Sequence, residues 1–412
     1  MEREAVLVGI DAGTTKVTTL IGEVGRTGDV NVIGYGIAPS AGMKKGMVAN
    51  IDQTVNSIAS SVEKAERLSG YKISSAFVSV GGSHISSQNS RGVVAVSGHK
   101  REVSREDVAR ATEAAKAVQV PSNREMLHVV PRGYIVDGQE GIKDPLGMSA
   151  VRLEVETHIV AGAATSVQNL SKCVTTTGVQ IDEMVISSLA AAEATLTDTE
   201  KELGVLIADI GGGTTDIAIF VDGAVYHTAV LPVGGINVTN DVAIGLRTSL
   251  NLAEEIKIKH GNANMAEVEP EELINVAVLG ETGGQTIQRR RLCEVIEARM
   301  GEIYSLIREE VKRSGHARML PAGAVLTGGG ARLAGADVLA RETLDMPVRI
   351  GSPQGVGGLM DQIGNPAFST SIGLLLWGAN HIGEEPIGYG GAGNGVNPLS
   401  RIGEWIRNLF PG

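Results

Sequence analysis

The chain has 412 residues, of which 42% are hydrophobic, 20% charged and 3% aromatic, and its formal net charge is −11. At roughly 100–200 residues per domain, this length provides for several compact units with cores of their own. The acidic balance, together with the lack of a long lysine- or arginine-rich run, argues against nucleic acid as a partner. The composition is that of an ordinary globular protein.

The N-terminal segment and the two cysteines predict a location in a reducing compartment. The segment MEREAVLVGIDAG is charged and leads straight into a strand, without the apolar region of a signal peptide. No apolar run approaches the ~18 residues that span a bilayer. Cys173 and Cys293 stand alone, as buried thiols in such a compartment do. We therefore expect a soluble protein that meets a membrane only at its surface.

A repeated motif predicts a phosphate site. The stretch from Val6 to Val24 reads VLVGIDAGTTKVTTLIGEV, and that from Val205 to Gly223 reads VLIADIGGGTTDIAIFVDG. Each pattern predicts a strand, a tight turn and a second strand. The glycines let backbone N–H groups approach an anion, and these groups form an anion-binding nest with the threonine hydroxyls. Two copies, half a chain apart, predict two related lobes that clamp a triphosphate.

A glycine-rich loop follows a third predicted strand. The segment AVLTGGGARLAG, from Ala324 to Gly335, predicts a strand, a turn at Gly328–Gly330 and then the start of a helix. After two phosphate hairpins, such a loop is typical of the surface on which an adenosine packs. This order of motifs resembles the superfamily of actin, sugar kinases and heat-shock-chaperone ATPases. The chain has no P-loop and no GxGxxG after a strand.

The resemblance implies a site for ATP and magnesium. Asp11 and Asp209 are expected to hold Mg²⁺ or its waters. The expected phosphate contacts are Gly13, Thr14, Thr15, Lys16, Gly211, Gly212, Gly213, Thr214, Thr215, Gly234 and Gly235. The expected nucleoside contacts are Glu254, Lys257, Gly328, Gly329, Gly330 and Arg332. Lys16 is equally well explained as a solvated side chain, and the Glu254–Lys257 pair as charges on an amphipathic helix. Asp216 is either a further polar contact or a cap of its turn.

Between the hairpins, the sequence predicts a helix at Asp52–Gly70 and a strand at Ser75–Val80, followed by a separate small unit. Its predicted elements are a strand at Arg91–Val96, a helix at Ser104–Val118 and strands at Leu127–Val136 and Val151–Ala161. A β-α-β-β unit inserted at this point resembles the insertion that distinguishes the FtsA family of bacterial cell-division proteins from actin and MreB. Other stretches similar to that family, such as HTAVLPVGGINVTNDVA, QRRRLCEVIEARMGEI and FSTSIGLLLWG, extend to about Gly378. The resemblance therefore covers nearly the whole chain.

This resemblance implies an α/β, actin-like fold of two duplicated ribonuclease-H-like lobes. The expected units are a first-lobe core at 1–82 and 163–204, an inserted α+β subdomain at 83–162, a second-lobe core at 205–240 and 318–382, and a small second-lobe subdomain at 241–317. A flexible linker at 383–398 and an amphipathic helix at 399–412 follow them.

The C-terminal tail has the pattern of a tethered membrane anchor. The linker is rich in glycine, which predicts flexibility. After it, apolar residues recur on one helical face between Arg401 and Arg407, namely Ile402, Trp405, Ile406, Leu409 and Phe410. This pattern predicts an interfacial helix that binds an anionic lipid surface weakly alone and firmly in a polymer. A terminal helix docked on the body of the protein is the alternative.

The resemblance also implies partners. In the FtsA family, the small second-lobe subdomain binds the acidic, apolar C-terminal peptide of the tubulin-like FtsZ, and Arg299, Arg291 and Glu302 lie in the matching region. A solvated helical face explains each arginine equally well. The protein is then expected to form filaments with itself on the cytoplasmic face of the membrane at the division site. Other division proteins are expected to contact the inserted subdomain.

Hydrolysis of ATP is expected to be slow or absent. Strong ATPases of the superfamily place a Glu or Gln at the start of the helix that reconnects the first lobe, where it orients the attacking water. Ser187 and Ser188 occupy that region here, and Glu193 lies more than a helical turn further on. No catalytic residue is therefore assigned. The runner-up interpretation is a pilus-assembly scaffold of the PilM type, which grips a membrane protein's cytoplasmic peptide.

Overall fold

The computed structural model describes residues 5–97, 101–117, 120–277 and 284–381. The strands are β1 (Ala5–Ala12), β2 (Lys16–Val24), β3 (Val30–Pro39), β4 (Met43–Lys44), β5 (Met47–Val48), β6 (Ser75–Val80), β7 (Ser86–Ala95), β8 (Arg124–Val136), β9 (Gln139–Ile142), β10 (Arg152–Ala163), β11 (Gln180–Ile186), β12 (Val205–Ile210), β13 (Thr215–Val221), β14 (Ala224–Leu231), β15 (Leu273–Ala277), β16 (Gly284–Gln288), β17 (Ala324–Thr327), β18 (Val348–Ile350) and β19 (Val356–Gly358). The α-helices are α1 (Ile51–Ser69), α2 (Arg105–Lys116), α3 (Ala164–Thr176), α4 (Ser187–Thr195), α5 (Asp198–Leu203), α6 (Gly235–Leu246), α7 (Leu250–His260), α8 (Arg289–Arg313), α9 (Ala336–Leu344), α10 (Met360–Ile363) and α11 (Ser369–Asn380).

The first lobe is built on a six-stranded sheet in the order β11-β6-β1-β2-β3-β19. Strands β1 and β2 pair antiparallel, which confirms the first predicted hairpin. Both strands are apolar because both faces of the sheet are covered. Alternate side chains such as Ile10 pack into a cluster with Ile58 of α1, whereas Leu7 packs into another cluster with Ile372 of α11.

The second lobe repeats this arrangement in a five-stranded sheet of order β14-β13-β12-β17-β18. Strands β12 and β13 pair antiparallel, with Ile210 opposite Thr215, which confirms the second predicted hairpin. Every residue of β12 and β13 is buried. Strand β17 runs parallel to β12, so the glycine loop after β17 lies at the same sheet edge as the hairpin turn after β12. The fold thus places the repeated motifs at corresponding strand ends.

The small subdomain of the second lobe comprises α6, α7, the β15–β16 hairpin and α8. Helix α8, with 25 residues, is the longest helix in the described part of the chain. Its buried apolar residues recur every three or four positions, as one face of a helix requires: Leu292, Ile296, Met300, Ile303, Ile307 and Val311. This face packs against α6 and α9, which leaves the arginines of α8 on other faces.

The inserted subdomain is a four-stranded sheet, β7-β10-β8-β9, with α2 packed on it. A capping box starts the helix: the Asp107 N–H donates to the Ser104 hydroxyl at 3.2 Å, and the Ser104 N–H donates to Asp107 Oδ2 at 2.9 Å. The predicted β-α-β-β order needs one correction, because a further strand, β9, follows β8. Strand β9 reads QEGI and is almost entirely exposed, so it carries no alternating apolar pattern.

A polar seam joins the inserted subdomain to β14, the edge strand of the second-lobe sheet. The Ser87 hydroxyl donates to the carbonyl of Thr228 at 2.8 Å, and the Asn89 amide donates to the carbonyl of Tyr226 at 3.2 Å. His158 Nε2 lies 3.0 Å from the hydroxyl of Thr228. The insertion therefore contacts the second lobe as well as the first lobe that carries it.

The chain returns to the first lobe after β18, which differs from the expected second-lobe core at 318–382. Strand β19 pairs parallel with β3, and α11 packs on β1 and α4. The physical reason is that α11, with Ile372 and Leu375 fully buried, covers the face of the first-lobe sheet that α1 leaves open.

The helix expected directly after the glycine loop also begins later than predicted. A 3₁₀ turn at Gly330–Arg332 comes first, and α9 starts only at Ala336. Gly335 separates the two with a left-handed φ of 71°.

The predicted linker at 383–398 and the predicted amphipathic helix at 399–412 lie outside the described residues, together with all seven expected membrane contacts. Within the described ranges, no helix combines the length and the apolar character that crossing a bilayer demands.

Candidate functional site

Both hairpin turns and the glycine loop line a single cleft. The expected site residues in its lining are Asp11, Gly13, Thr14, Thr15, Lys16, Asp209, Gly211, Gly212, Thr214, Gly328 and Gly329. Side chains from other parts of the chain complete the lining, among them Ser79, Ser187, Asp216 and Thr370. The fold therefore brings together residues from three separate motifs.

The two hairpin turns face one another at close range. A Cβ atom on Gly212 would lie 2.4 Å from Cγ2 of Thr15, and one on Gly213 would lie 2.7 Å from the Thr14 hydroxyl. Any larger residue at these positions would collide with the opposite turn. The second hairpin has two more glycines before its threonine pair than the first hairpin has, and these glycines make room for the threonines of the first.

Three carboxylates meet in the cleft: Asp11 at the end of β1, Asp209 near the end of β12 and Asp216 at the start of β13. Burial raises the pKa of Asp11, raises that of Asp209 to about 6 and raises that of Asp216 to about 8. Repulsion from Asp11 adds to the rise at Asp209, and repulsion from Asp209 adds to it at Asp216. Oδ1 of Asp216 is buried and has no hydrogen-bond partner among the described residues.

Lys16 is a member of the cleft and not a solvated side chain. Its Nζ donates to the carbonyl of Ala367 at 2.7 Å and lies 3.3 Å from the centroid of the Phe368 ring. Burial lowers the pKa of Lys16 to about 8, and attraction to Asp11 and Asp209 opposes that fall. A cation in this position complements an anion held between the turns.

The donor set of the cleft fits a magnesium-bound polyphosphate. Mg²⁺ takes oxygen ligands and is usually held by one or two carboxylates together with phosphate and water. A cation beside Asp11 and Asp209 would relieve the repulsion among the three buried carboxylates. In the described ranges, no group of three or more His, Cys, Asp or Glu residues could hold a metal by itself, so Mg²⁺ there would need phosphate or water ligands as well. ATP would supply negative charge that both lobes contact.

The expected nucleoside residues of α7 form a hydrogen-bonded cluster. Lys257 Nζ donates to Glu254 Oε2 at 2.6 Å, to the Thr239 hydroxyl at 2.9 Å and to the Gly235 carbonyl at 3.3 Å. The Gly235 N–H in turn donates to the Gly211 carbonyl at 2.9 Å. Glu254 and Lys257 therefore form the i,i+3 ion pair of an amphipathic helix. Lys257 also connects α7 with the second hairpin, through Gly235 at the start of α6.

Several other expected site residues lie outside the cleft lining. The Thr215 hydroxyl is buried and donates to the Val233 carbonyl at 2.9 Å. Gly330 packs against Ile210, where a Cβ atom would lie 2.4 Å from Cγ2. Arg332 is exposed on the 3₁₀ turn after the glycine loop. Gly234 packs on the second hairpin, where its Cβ would lie 2.6 Å from the Gly211 carbonyl.

Three hydroxyl residues of the site belong to none of the sequence motifs that predict it. The Ser79 hydroxyl donates to Asp11 Oδ1 at 2.7 Å, and the Ser371 hydroxyl donates to Asp11 Oδ2 at 3.3 Å. The Thr370 hydroxyl donates to Asp209 Oδ2 at 2.5 Å. The nearest of these pairs is 68 positions apart in the chain, so no local motif reveals them. The run of hydroxyl residues at the start of α11, Ser369–Ser371, is the sequence feature that could have indicated two of them.

The region expected to orient an attacking water carries serines. Ser187 lines the cleft and donates to the Val80 carbonyl at 3.2 Å. The Ser188 hydroxyl is buried and has no hydrogen-bond partner among the described residues. Glu193 is paired with Lys201 at 2.8 Å and accepts a hydrogen bond from Asn380 at 3.2 Å.

Known proteins resemble this chain in both sequence and fold. It is similar to PilM of the PilM-PilN type IV pilus biogenesis complex, with a TM-score of 0.65 and 16% identity over 90% of this chain and 98% of that chain. It is also similar to MreB5 of Spiroplasma citri bound to ADP, with a TM-score of 0.54 and 15% identity over 92% of this chain and 96% of that chain. Identities this low show the fold alone, and they confirm the expected actin-like α/β fold.

Sequence relatives decide the family. The family model for cell division protein FtsA matches residues 206–373, and that for the SHS2 domain inserted in FTSA matches residues 82–161. The chain is 46% identical to the cell division protein FtsA of Pseudomonas aeruginosa over 90% of this chain and 89% of that protein. It is 41% identical to that of Neisseria meningitidis over 100% of both chains. This chain belongs to the FtsA family of cell division proteins.

Proposed function

We propose that this protein binds Mg²⁺ and ATP between its two lobes, polymerises on the cytoplasmic face of the cell membrane and tethers FtsZ filaments there at the division site. The observation that carries the nucleotide part is the meeting of two glycine–threonine turns with buried carboxylates in one cleft. Membership of the FtsA family supports the cell-division part. The pilus-scaffold alternative has less support, since the similarity to PilM extends only to the fold.

In this proposal, the binding of ATP holds the two lobes together, and the function does not depend on the energy of ATP hydrolysis. Asp11 and Asp209 hold Mg²⁺, the hairpin turns and Lys16 hold the phosphates, and the α7 cluster lies toward the nucleoside. Ser187 stands where a water-orienting Glu or Gln is expected, and a hydroxyl is a weaker group for that task. Hydrolysis is therefore proposed to be slow, so that bound ATP sets the angle between the lobes and through it the ability to polymerise.

The FtsZ peptide is proposed to bind where α6 packs against α8. Arg299 is bonded to Asp241 and to Glu302, at 2.5 Å each, so its charge is already balanced within the subdomain. Arg247 and Arg291 instead line a small cavity beside the β15–β16 hairpin. The side chain of Ile244 is 77% exposed nearby on α6. We define the α6–α8 surface by Ile244, Arg247, Arg291 and Arg299. Among the described residues, neither Arg247 nor Arg291 has an ion-pair partner, and two such positive charges beside an apolar side chain suit an acidic, apolar peptide.

Charge reversal should distinguish the arginines of this surface. We expect R291E to weaken binding of a synthetic FtsZ C-terminal peptide by roughly tenfold, or ~1.4 kcal/mol, because it places a negative charge beside an acidic ligand. We expect a smaller effect from R299E, whose arginine is already shared between two carboxylates. The measurement is fluorescence anisotropy of the labelled peptide at fixed salt.

R290E is the matched control, because Arg290 is exposed on the same helical turn outside the cavity. If R290E and R291E lose equal peptide affinity, the binding depends on the net charge of the helix and not on the position of Arg291.

Membrane attachment is proposed to depend on the C-terminal tail beyond Gly383. We expect the full chain, with Mg²⁺ and ATP, to co-sediment with vesicles that contain anionic phosphatidylglycerol. A chain that ends at Gly383 should remain in the supernatant under the same conditions. If both chains sediment to the same extent, the membrane contact lies elsewhere. A W405A variant of the full chain keeps the length and the charge of the tail and removes only the Trp405 ring, so it should co-sediment less than the wild type.

A further inference from the structure

The first turn of α11 contacts a cleft aspartate of each lobe. The Thr370 hydroxyl donates to Oδ2 of Asp209 at 2.5 Å, and the Ser371 hydroxyl donates to Oδ2 of Asp11 at 3.3 Å. Thr370 is 6% exposed and Ser371 is fully buried. Although α11 packs on the first-lobe sheet, its start reaches across to the second lobe through Thr370. One helical turn thus contacts both carboxylates that are proposed to hold Mg²⁺.

These hydrogen bonds leave each carboxylate in one defined orientation. Asp11 accepts from Ser79 at one oxygen and from Ser371 at the other, which fixes the plane of its carboxylate. Asp209 accepts from Thr370 at Oδ2, and Gly328 lies beside its Oδ1. A Cβ on Gly328 would lie 2.2 Å from that Oδ1, so glycine leaves room at the oxygen that Thr370 does not use.

We propose that Thr370 and Ser371 are positioning residues for Mg²⁺, which orient Asp209 and Asp11 toward one shared cation. This inference rests on the proposed binding of Mg²⁺ and ATP. A hydroxyl donor fixes the rotamer of a carboxylate and favours its charged form, which is the form that a cation requires. Loss of an outer-shell hydrogen bond of this kind typically costs about 10–100-fold in metal affinity.

The same helical turn contains its own control. The Ser369 hydroxyl is as deeply buried as that of Ser371, but it lies 2.6 Å from the hydroxyl of Thr327 and has no hydrogen bond to a carboxylate of the described residues. Removing it disturbs the packing of the turn without changing either aspartate. A purely structural role for the turn therefore predicts similar effects from S369A, T370V and S371A.

The test compares nucleotide affinity in excess Mg²⁺ with that in EDTA, measured by titration of a fluorescent ATP analogue into the full chain. We expect T370V and S371A to bind it about tenfold more weakly than the wild type in Mg²⁺ and equally well in EDTA. T370S, which retains the hydroxyl, should bind as the wild type does. S369A should match the wild type in both conditions. Thermal melting checks that each variant is folded, and S371A alone decides the question if T370V does not fold.

Other outcomes would overturn the proposal in distinguishable ways. Losses of equal size in Mg²⁺ and in EDTA, or a loss in S369A as large as that in S371A, would assign the turn a structural role only. Unchanged affinity in both T370V and S371A would remove any role in positioning. If the wild type itself binds the analogue equally well with and without Mg²⁺, the proposed magnesium site fails and this inference fails with it.

Discussion

Replacing Asp209 with asparagine is expected to raise the melting temperature of the ligand-free protein and to abolish its further rise with Mg²⁺ and ATP. Burial raises the pKa of Asp209 to about 6, compared with ~3.9 in an unfolded chain. Because the folded state binds this proton more tightly, ionisation of Asp209 destabilises the fold. This loss of folding free energy is absent below the pKa of the unfolded state. It grows as the pH rises from that pKa to the pKa of the folded state, and it is complete above the latter.

The size of the effect follows from the two pKa values. At pH 7 the charged carboxylate costs on the order of 3 kcal/mol, which asparagine removes. The gap in melting temperature between D209N and the wild type should therefore widen from about pH 4 to about pH 7. A calorimetric pH series measures it, with the exposed Asp182 changed to asparagine as the control. A D209N protein that melts below the wild type at pH 7, or that gains as much stability from Mg²⁺ and ATP, contradicts the assignment.

Replacing Gly373 with alanine is expected to destabilise the protein by about 3 kcal/mol, because α4 and α11 cross there with their backbones in contact. A Cβ atom on Gly373 would lie 1.7 Å from the carbonyl oxygen of Ala190 and 2.4 Å from its carbonyl carbon. The obstacle is backbone, so no side chain can rotate away. Relief requires the two helices to separate, and α11 also covers the first-lobe sheet.

Gly301 of α8 provides the matched comparison, since nothing lies within 4 Å of a Cβ built there. Alanine in an open helical position should stabilise the protein by roughly 0.5–1 kcal/mol, because glycine loses more conformational freedom on folding. Urea unfolding curves of G373A and G301A should therefore shift in opposite directions. If the curve of G373A coincides with that of the wild type, α4 and α11 lie further apart than this structure has them.

The sequence predicted the parts of the site that are local in the chain. The carboxylate, glycine and threonine of each hairpin lie within a few positions of one another, so one short pattern carries the turn, the proposed anion nest and the proposed metal ligand together. The repeat then predicted the two lobes, and the family resemblance predicted the insertion. The structure and the comparisons confirm the actin-like fold, the inserted subdomain and the FtsA family.

Contacts between distant segments were not predictable in this way. Thr370 and Asp209 are 161 positions apart, and nothing in the apolar sequence of α11 identifies which face of the helix meets which strand. The same limit explains why the sequence alone predicts a second-lobe position for the segment after β18, since its return to β3 depends on pairing across the whole chain. Strand β9 is not predictable for a different reason. It is a nearly exposed tetrapeptide, so its sequence has no alternation of apolar and polar residues.

The polar seam between β7 and β14 has a consequence for experiments that remove the insertion. A free edge strand presents unpaired carbonyl and N–H groups and is a template for aggregation. Ser87 and Asn89 occupy two such carbonyls of β14, at Thr228 and Tyr226. A chain without residues 83–162 would expose this edge, and insolubility in such a deletion would reflect an uncovered sheet rather than a lost binding partner. Point substitutions on the outer face of the insertion, which leave the seam intact, are therefore the sounder way to test whether the insertion binds other proteins.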